Sequence, residues 1–249
     1  GQGAEGLYGF TLKKPWDLKT MQLTERYDLS TSYDNIYGFW MHPDGFRFWT
    51  QIIESNKQGI TEWKTTKSWD IANTVATPVK VVRFASLDNR TPHSNLSSGY
   101  ERGLWWKNDG TKFYTLSITD DINGVMQFGT SGSAFDGGAG YLEAVHPIPD
   151  NDLASEAAGE FTSLAFTHDG SQMAVVVDER IYLFDLSINW EIKTAVMRNH
   201  IDLGTAPQST RKMELSGSAY YNDVAGMFFK PDNKTLYVVD DNTYRIAQL

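Results

Sequence analysis

One pattern occurs four times along this chain of 249 residues, and each copy is built around a tight turn. The turn is Asp-Gly in three copies and Asp-Asn in the fourth. Asp-Gly between apolar runs is a strong hairpin signal, because the residue after the Asp needs a positive φ that glycine, and next best asparagine, tolerates. A small residue lies six places before each Asp, and a large apolar residue lies four places after it. The copies are GFWMHPDGFRFWT (38–50), GLWWKNDGTKFYT (103–115), SLAFTHDGSQMAV (163–175) and GMFFKPDNKTLYV (226–238), with turns at Asp44-Gly45, Asp109-Gly110, Asp169-Gly170 and Asp232-Asn233.

A second pattern involves tryptophan. Three segments read as a third strand, and in each the first apolar residue is followed nine places later by Trp, then by an acid, then by Leu or Ile. The segments are GLYGFTL (6–12), GITEWKT (59–65) and RIYLFDL (180–186), and the tryptophans are Trp16, Trp69 and Trp190. The second unit departs from this rule. Its Phe135-Asp136 is at best a worn copy, inside a glycine-rich stretch at 129–140 that reads as a flexible linker.

Together the two patterns predict an all-β fold. Each unit contains two strands joined by the Asp turn, a loop, a third strand, the Trp corner and a fourth strand. Four antiparallel strands therefore recur every 60 to 65 residues, which is typical of a β-propeller. The alternative is a β-sandwich with coincidental turns. The predicted domain is a single propeller over 1–249, with a partial blade at 1–30, blades at about 31–80, 81–145, 155–205 and 215–249, and loop insertions at 84–100 and 129–160.

The sequence leaves the closure of the ring open. The last unit, ending in TYRIAQL (243–249), lacks a fourth strand, and residues 21–29 are one candidate to supply it. That solution gives four full blades but leaves the strand at 6–12 without a place. The alternatives are five blades, with one incomplete or completed by a terminus or a partner, and a larger ring of which this chain is a part.

The recurring tryptophan has a structural and a functional interpretation. In the structural one, a large ring fills the gap between neighbouring blades, and the acid after it accepts backbone N–H groups of the turn. In the functional one, a ring of exposed tryptophans stacks on carbohydrate. The structural interpretation predicts that Trp69→Ala costs about 3–5 kcal/mol, as for other buried aromatic residues.

The motifs resemble a known repeat. PWDLKT (15–20), PDG (43–45) and IYLFDL (181–186) are similar to a β-propeller repeat of bacteriophage and prophage virion proteins that also occurs in large secreted proteins of marine bacteria. The resemblance covers most of the chain outside 84–100 and 129–160, and it departs in the second blade, which lacks the Trp. It implies a virion-surface or tail-associated module and supplies no catalytic residues.

Composition disfavours several classes of partner. A net charge of −9 and a pI of about 5.0 disfavour nucleic acid and anionic lipid, which bind basic surfaces. The lack of cysteine excludes a disulfide scaffold and a thiol nucleophile. No apolar run approaches the length of a membrane span, and no signal peptide is evident. We therefore expect no nucleic-acid partner and no membrane insertion.

The sequence contains no recognised catalytic motif. GxSxG, HExxH and the P-loop lysine motif are absent, and the five histidines are scattered, with His42 and His168 beside turns. Acidic patches at 119–123, 149–152 and 240–242 offer oxygen ligands for Ca²⁺. They lack the spacing of a calcium loop, which favours solvated turns. We predict no catalytic residue and no cofactor, with Ca²⁺ as the weaker alternative.

The predicted function is a non-enzymatic structural or adhesion module of a virion or cell surface, associated with a phage tail or capsid. The expected location is the virion or the extracellular surface. The expected partners are protein subunits of a larger assembly and a host-surface glycan or protein. Two long loops, 82–103 and 128–160, flank the second blade and are predicted to carry this contact. The alternatives are a glycan-binding lectin and a propeller lyase or hydrolase that acts in the central channel.

Overall fold

The computed structural model describes residues 6–29, 35–54, 57–84, 102–118, 123–148, 161–177, 180–203, 224–240 and 245–249. Within these residues the regular elements are strands and one-turn 3₁₀ helices. The strands are β1 (Gly6–Leu12), β2 (Met21–Asp28), β3 (Asn35–Met41), β4 (Arg47–Glu54), β5 (Lys57–Lys64), β6 (Lys80–Arg83), β7 (Arg102–Trp106), β8 (Lys112–Ile118), β9 (Asn123–Thr130), β10 (Gly140–Pro147), β11 (Phe161–Phe166), β12 (Gln172–Val177), β13 (Arg180–Leu186), β14 (Ala195–Asp202), β15 (Val224–Phe229), β16 (Leu236–Asp240) and β17 (Arg245–Gln248).

The strands form five sheets in which each strand pairs antiparallel with its neighbours in sequence. Blade 1 contains β3–β6, blade 2 contains β7–β10 and blade 3 contains β11–β14, each with four strands. Blade 4 contains the three strands β15–β17, and β1 and β2 form a two-stranded sheet that we call the half-blade. The predicted all-β class and the four-stranded antiparallel blade are confirmed.

The Asp turn has one geometry in all four blades. Its carboxylate accepts a hydrogen bond from the backbone N–H two residues later, at 2.8 Å in blade 1, 3.0 Å in blade 2, 3.1 Å in blade 3 and 3.0 Å in blade 4. The residue after the Asp has a positive φ in every copy: 71° at Gly45, 71° at Gly110, 72° at Gly170 and 57° at Asn233. The four hairpins are therefore copies of one local structure.

The corner residue, which lies between the third and fourth strands, also has one geometry. The corner residues are Trp16, Trp69, Phe135 and Trp190, with φ of 63°, 59°, 64° and 68°. In blades 1 to 3 the corner N–H donates to the carbonyl of the turn glycine of the same blade, at 2.9, 2.8 and 2.9 Å. A Cβ atom built on any of these glycines lies within 2.2–2.5 Å of the corner residue. The turn therefore needs glycine twice, for its φ and for the space that the corner ring occupies.

Phe135 corrects the sequence analysis. It occupies the corner of blade 2 with the backbone of the tryptophan corners, so the second unit keeps the joint and changes only the ring. The stretch read as a linker contains the end of β9, this corner, a 3₁₀ helix at Gly137–Ala139 and the start of β10. The predicted loop insertion at 129–160 is wrong over 129–147. Residues 149–160 and 85–100 of the two predicted insertions lie outside the described residues.

The small residues before the turns of blades 1 and 2 lie where neighbouring blades meet. A Cβ atom on Gly38 of blade 1 lies 3.0 Å from the backbone nitrogen of Leu104 in blade 2. A Cβ atom on Gly103 lies 3.1 Å from the backbone nitrogen of Leu164 in blade 3. The innermost strands β3, β7 and β11 approach one another this closely because these positions carry little or no side chain.

The half-blade lies between blade 4 and blade 1. On one side the Tyr237 hydroxyl donates to the carbonyl of Trp16 at 3.1 Å. On the other side Glu25 accepts the backbone N–H of Ile71 at 2.7 Å, and Tyr27 packs on Trp63. Because its corner lies between β1 and β2, the half-blade supplies the third and fourth strands of a fifth blade. The prediction that residues 21–29 complete the last blade is wrong, since β2 pairs with β1.

Candidate functional site

Neighbouring blades are joined by a repeated contact in which the corner residue of one blade lies against the preceding blade. The contact uses the position five residues after the turn Asp of the preceding blade, and in blades 1 and 4 also the position four residues before that Asp. We call this pair of positions the socket. The sockets are Trp40 and Trp49 in blade 1, Trp105 and Tyr114 in blade 2, Ala165 and Ala174 in blade 3, and Phe228 and Tyr237 in blade 4.

The sockets of blades 1 and 2 are filled and buried. The Phe135 ring lies 5.8 Å from Trp40 and 5.4 Å from Trp49, stacked on both. The Trp190 ring lies 6.3 Å from Tyr114, whose hydroxyl donates to the Trp190 carbonyl at 2.8 Å. Phe135 and Trp190 are each only 8% exposed. Burial, together with the nearby carboxylates, raises the pKa of Tyr114, which keeps its hydroxyl a donor.

The socket of blade 4 receives the corner of the half-blade. Trp16 stacks on Phe228 at 6.4 Å and on Tyr237 at 5.9 Å. The Tyr237 hydroxyl bonds the Trp16 carbonyl as Tyr114 bonds that of Trp190. Aromatic contacts and a tyrosine hydrogen bond thus join the half-blade to blade 4, as they join blade 3 to blade 2.

Blade 3 has no aromatic residue at the socket positions, which are Ala165 and Ala174. The turn of blade 4 carries Asn233 in place of glycine.

Trp69, the corner of blade 1, is the most exposed of the four corner residues. It has a left-handed backbone like the others and donates to its turn glycine as Phe135 and Trp190 do, but it is 59% exposed, against 40% for Trp16 and 8% for Phe135 and Trp190. The sheet before it is the half-blade, which has no first or second strand among the described residues and so presents no socket. The predicted cost of 3–5 kcal/mol for Trp69→Ala is wrong, because the ring is not buried.

A groove of about 580 Å³ lies beside Trp69, between the half-blade and blade 1. Its walls are mainly apolar, and one of them is β1, which pairs with β2 on a single edge among the described strands. Tyr8 (47%), Phe10 (48%) and Phe39 (44%) of its lining are exposed. The lining consists of residues 7–12 of β1, Thr24 and Glu25 of β2, and Phe39, Met41, Trp69 and Ile71 of blade 1.

Polar contacts also hold neighbouring blades together, and they show which polar side chains are engaged in hydrogen bonds or ion pairs. At the interface of blades 2 and 3, Lys112 bonds Glu143 at 2.6 Å and Glu191 at 2.9 Å, and Gln127 bonds both carboxylates. Burial disfavours the charged form of each glutamate, but these hydrogen bonds outweigh it and lower the pKa of both. The side-chain oxygen of Gln127 accepts a hydrogen bond from the backbone N–H of Ile192. In the same way the carboxylate of Glu25 accepts one from the backbone N–H of Ile71 beside the groove.

The acid after the corner has no uniform role. Asp17 and Asp136 accept a backbone N–H of their 3₁₀ turns, as the sequence analysis expects, at 3.2 and 2.9 Å. Asp70 and Glu191 make no such cap. Asp70 instead accepts the side-chain amide of Asn73.

The Asp turns of blades 2, 3 and 4 lie together and form a polar rim. The imidazole Nδ1 of His168 in blade 3 lies 3.4 Å from the side-chain amide of Asn108 in blade 2. The backbone N–H of His168 donates to the Asn233 side chain of blade 4 at 2.9 Å. His42 packs on Phe135 at 4.6 Å and contacts Asp44. Among the described residues no three His, Cys, Asp or Glu side chains cluster as metal ligands. The predicted calcium patches at 119–123, 149–152 and 240–242 lie largely outside the described residues.

Comparison with known proteins shows the fold. No family model matches the sequence, and no curated protein is similar to it. The periplasmic gluconolactonase of Pseudomonas aeruginosa is 13% identical, over all of this chain and 64% of that one, with a TM-score of 0.50. The Swd1 β-propeller domain of Myceliophteria thermophila is 11% identical over 94% of this chain and 74% of that one, with a TM-score of 0.45. A chain of the mitotic checkpoint complex is 11% identical over 86% and 50%, with a TM-score of 0.44.

The four-stranded antiparallel blades, together with the similarity to the gluconolactonase, define the class as β-propeller, and the chain spans less than two thirds of the length of that protein. The similarity also corrects the predicted function. The predicted non-enzymatic virion or cell-surface adhesion module is wrong: a solved structure that is similar over the whole of this chain is a periplasmic enzyme. The resemblance to the phage repeat and the extracellular location stay predictions. Within the described part of the chain no helix has the length and apolarity of a bilayer span.

Proposed function

We propose that this propeller is a binding protein that docks a polypeptide partner in the groove beside Trp69. The observation that carries the proposal is the exposure of Trp69 beside an apolar groove. Phe135 and Trp190 are 8% exposed and Trp16 is 40% exposed on the socket of blade 4, whereas Trp69 is 59% exposed. A large aromatic ring at the centre of an apolar surface is typical of an interaction site.

The free edge of β1 favours a polypeptide over a small apolar molecule. An unpaired strand edge presents a row of backbone N–H and C=O groups, and the groups that match this row at its repeat are those of another strand. β1 offers such an edge along the groove, with Tyr8 and Phe10 beside it. A small apolar ligand contacts the apolar walls of the groove but leaves the backbone groups at the edge of β1 unpaired. A peptide strand contacts the walls and also pairs with these backbone groups.

Selection from a peptide library tests the proposal. The full chain serves as bait for displayed peptides of random sequence, and Trp69→Ala serves as bait for counter-selection. We expect peptides that bind the wild-type chain in the micromolar range and lose most of that affinity on Trp69→Ala. The matched control is Ile188→Ala, which removes an apolar residue of similar exposure (57%) at the corner of blade 3. Failure to enrich any Trp69-dependent peptide contradicts the proposal.

Hydrolysis of a lactone is the second candidate, and it is favoured by the similarity to the gluconolactonase over the full length of this chain. The polar rim around His168 and Asn108 is where such chemistry has titratable side chains. The assay is hydrolysis of glucono-δ-lactone followed by proton release. The binding proposal expects no rate above that of buffer, while turnover that His168→Ala abolishes replaces the binding proposal with the enzymatic one.

A further inference from the structure

We infer that the joint between blades 2 and 3 is an acid-sensitive hinge, whose outer half opens as the pH falls while its inner half stays closed. The inner half is the contact of the innermost strands β7 and β11, together with Tyr114. The outer half consists of the contacts that Lys112, Gln127 and β10 of blade 2 make with the corner and β13 of blade 3. Both blades have all four strands, and the inference is independent of the groove beside Trp69.

The inner half is held by aromatic and backbone contacts. The ring of Phe166 in blade 3 lies 6.4 Å from the ring of Trp105 and 4.4 Å from that of Tyr114. Gly103 lies against the backbone of Leu164. The titratable group in these contacts is the phenol of Tyr114, and burial raises its pKa, so it stays neutral throughout the acid range. These contacts therefore persist when the pH falls.

The outer half is held by one lysine between two glutamates. Lys112 bonds Glu143 of its own blade at 2.6 Å and Glu191 of blade 3 at 2.9 Å. Gln127 donates to the same two carboxylates at 2.7 and 3.0 Å, and its side-chain oxygen accepts the backbone N–H of Ile192 at 3.0 Å. Protonation of either glutamate replaces a charge-assisted hydrogen bond with a weaker neutral one.

His146 lies in the same half of the joint, three residues after Glu143 in β10. Its ring is edge-on to the ring of Phe184 in β13, at 5.3 Å, and Val125 of β9 lies opposite it in the sheet. Phe184 and Val125 are both buried. Because these neighbours are apolar, they favour the neutral imidazole over the charged one, and burial lowers the pKa of His146.

The three groups respond to acid in the same direction. Glu143 and Glu191 have a pKa below 4.5 in the folded chain, so their stabilisation is complete above the unfolded pKa and is lost as the pH falls through the folded values. The pKa of His146 is lowered from 6.5, so below pH 6.5 the open joint takes up a proton more readily than the closed joint. Acid therefore opens the joint in two steps, first through His146 and then through the glutamates.

The other titratable groups that face the cluster strengthen this response. Tyr141 of β10 donates its hydroxyl to Glu143 at 3.1 Å. Lys193 of the 3₁₀ helix after the corner attracts the charge of Glu191. Both act against burial and favour the charged carboxylates. For His146, burial is the cause of the shift among the described residues.

The joint between blades 1 and 2 is a natural control, because its groups respond in opposite directions. Burial raises the pKa of Glu62 in β5, so acid favours the folded state there. The hydrogen bond from Lys80 lowers the pKa of Asp136, so acid disfavours the folded state at that group. We therefore expect this joint to respond to acid less than the joint between blades 2 and 3.

Single cysteines measure the opening, because the chain contains no cysteine of its own. Val125→Cys reports on the joint of blades 2 and 3, and Ile60→Cys reports on that of blades 1 and 2 at the equivalent place, the first apolar residue of the third strand. Both wild-type side chains are buried. The cysteines are labelled with a dipyridyl disulfide, which stays reactive toward thiols in acid. Each rate is divided by that of Ile188→Cys, at an exposed position, at the same pH.

We expect the normalised rate of Val125→Cys to rise about fivefold between about pH 7.5 and pH 5, and to rise again below about pH 4.5. The rate of Ile60→Cys stays within about twofold over the first interval. Adding His146→Gln to Val125→Cys removes the first rise and leaves the second. Adding Lys112→Met instead increases labelling already at about pH 7 and flattens the second rise, because the glutamates lose their cation.

Four results overturn the inference. They are no rise in the labelling of Val125→Cys down to about pH 4, an equal rise for Ile60→Cys, a first rise that persists with His146→Gln, and a loss of far-UV circular dichroism in parallel with labelling. The last result means that the whole chain unfolds and that no hinge opens. The comparison of Val125→Cys with Ile60→Cys needs no change at His146, so it decides the matter even if His146→Gln does not fold.

Discussion

Trp190 and Trp69 arise from the same motif and have different surroundings. Both have a left-handed backbone (φ 68° and 59°), and both donate their N–H to the turn glycine at 2.9 Å. Trp190 is 8% exposed and Trp69 is 59% exposed. The difference lies in the neighbouring sheet, since blade 2 offers Tyr114 to Trp190 while the half-blade offers no socket to Trp69. The motif specifies the corner inside a blade, and the preceding blade determines whether the ring is buried.

The largest effect is expected for Trp190→Ala, which empties a filled socket. The ring packs on Phe166 and Tyr114, so its loss leaves a cavity between blades 2 and 3. We expect a decrease of about 3–5 kcal/mol in the free energy of unfolding, as for other buried Trp and Phe residues. Urea titration followed by far-UV circular dichroism measures it. A loss below about 1 kcal/mol contradicts the socket as the joint between blades.

Gly170→Ala tests the same joint from the turn. The added methyl group lies 2.2 Å from the Trp190 ring, and the backbone there has a φ of 72°. We expect a loss of about 2–4 kcal/mol, from a left-handed alanine and an overpacked contact together. The matched control is Asn233→Gly at the turn of blade 4. This substitution removes the strain of a left-handed asparagine but loses the hydrogen bond from the His168 backbone N–H. We therefore expect almost no change in the free energy of unfolding. Equal stabilities of Gly170→Ala and the wild type refute the double role of the glycine.

The sequence contained most of the blade but little of the site. The turn and the corner follow from local rules, namely the need for a positive φ and the length of the strands between them. Both can be recognised in the sequence, the turn at Gly45 and the corner at Trp16. The sequence pattern of the corner contains tryptophan and therefore does not identify Phe135 as a full copy. The joint itself requires only an aromatic ring in a left-handed position. The aromatic residues five places after the turn Asp, Trp49, Tyr114 and Tyr237, were present in the aligned repeats. Their meaning depends on which blade lies next to which, and spacing along the chain does not contain that information.

Lys112→Met tests the polar part of the same interface. Lys112 lies between Glu143 and Glu191, and its removal leaves two carboxylates facing each other. We expect a loss of about 1–2 kcal/mol at pH 7, above the range of surface ion pairs because the group is partly buried. Lys80→Met is the control at the interface of blades 1 and 2. Its ion pair with Asp136 is more exposed, and we expect a smaller loss.

The pH dependence of the Lys112→Met effect follows from the sign of the pKa shifts. Both glutamates have a pKa lowered from 4.5 in the folded wild-type chain. Their stabilising contribution is present above the unfolded pKa and is lost as pH falls through the folded pKa values. The difference in unfolding free energy between wild type and Lys112→Met is therefore largest at pH 7 and shrinks below about pH 4. A difference that stays constant from pH 7 to pH 3 shows that lost packing, and not charge, causes the effect.

The smallest effect is expected at Trp69, and it gives the sharpest comparison. Its ring is mostly exposed, so Trp69→Ala is expected to cost about 1 kcal/mol, well below the cost at Trp190. Trp69→Gly goes further, because glycine removes the left-handed strain of roughly 1–2 kcal/mol that any other residue has at a φ of 59°. We expect Trp69→Gly to be as stable as the wild type in urea titration, whereas Trp190→Gly stays destabilised. A loss at Trp69→Gly as large as at Trp190→Gly means that something already covers the ring in the isolated chain. If Trp69→Gly is neutral, packing of the Trp69 ring in this chain does no more than offset the left-handed strain at this position.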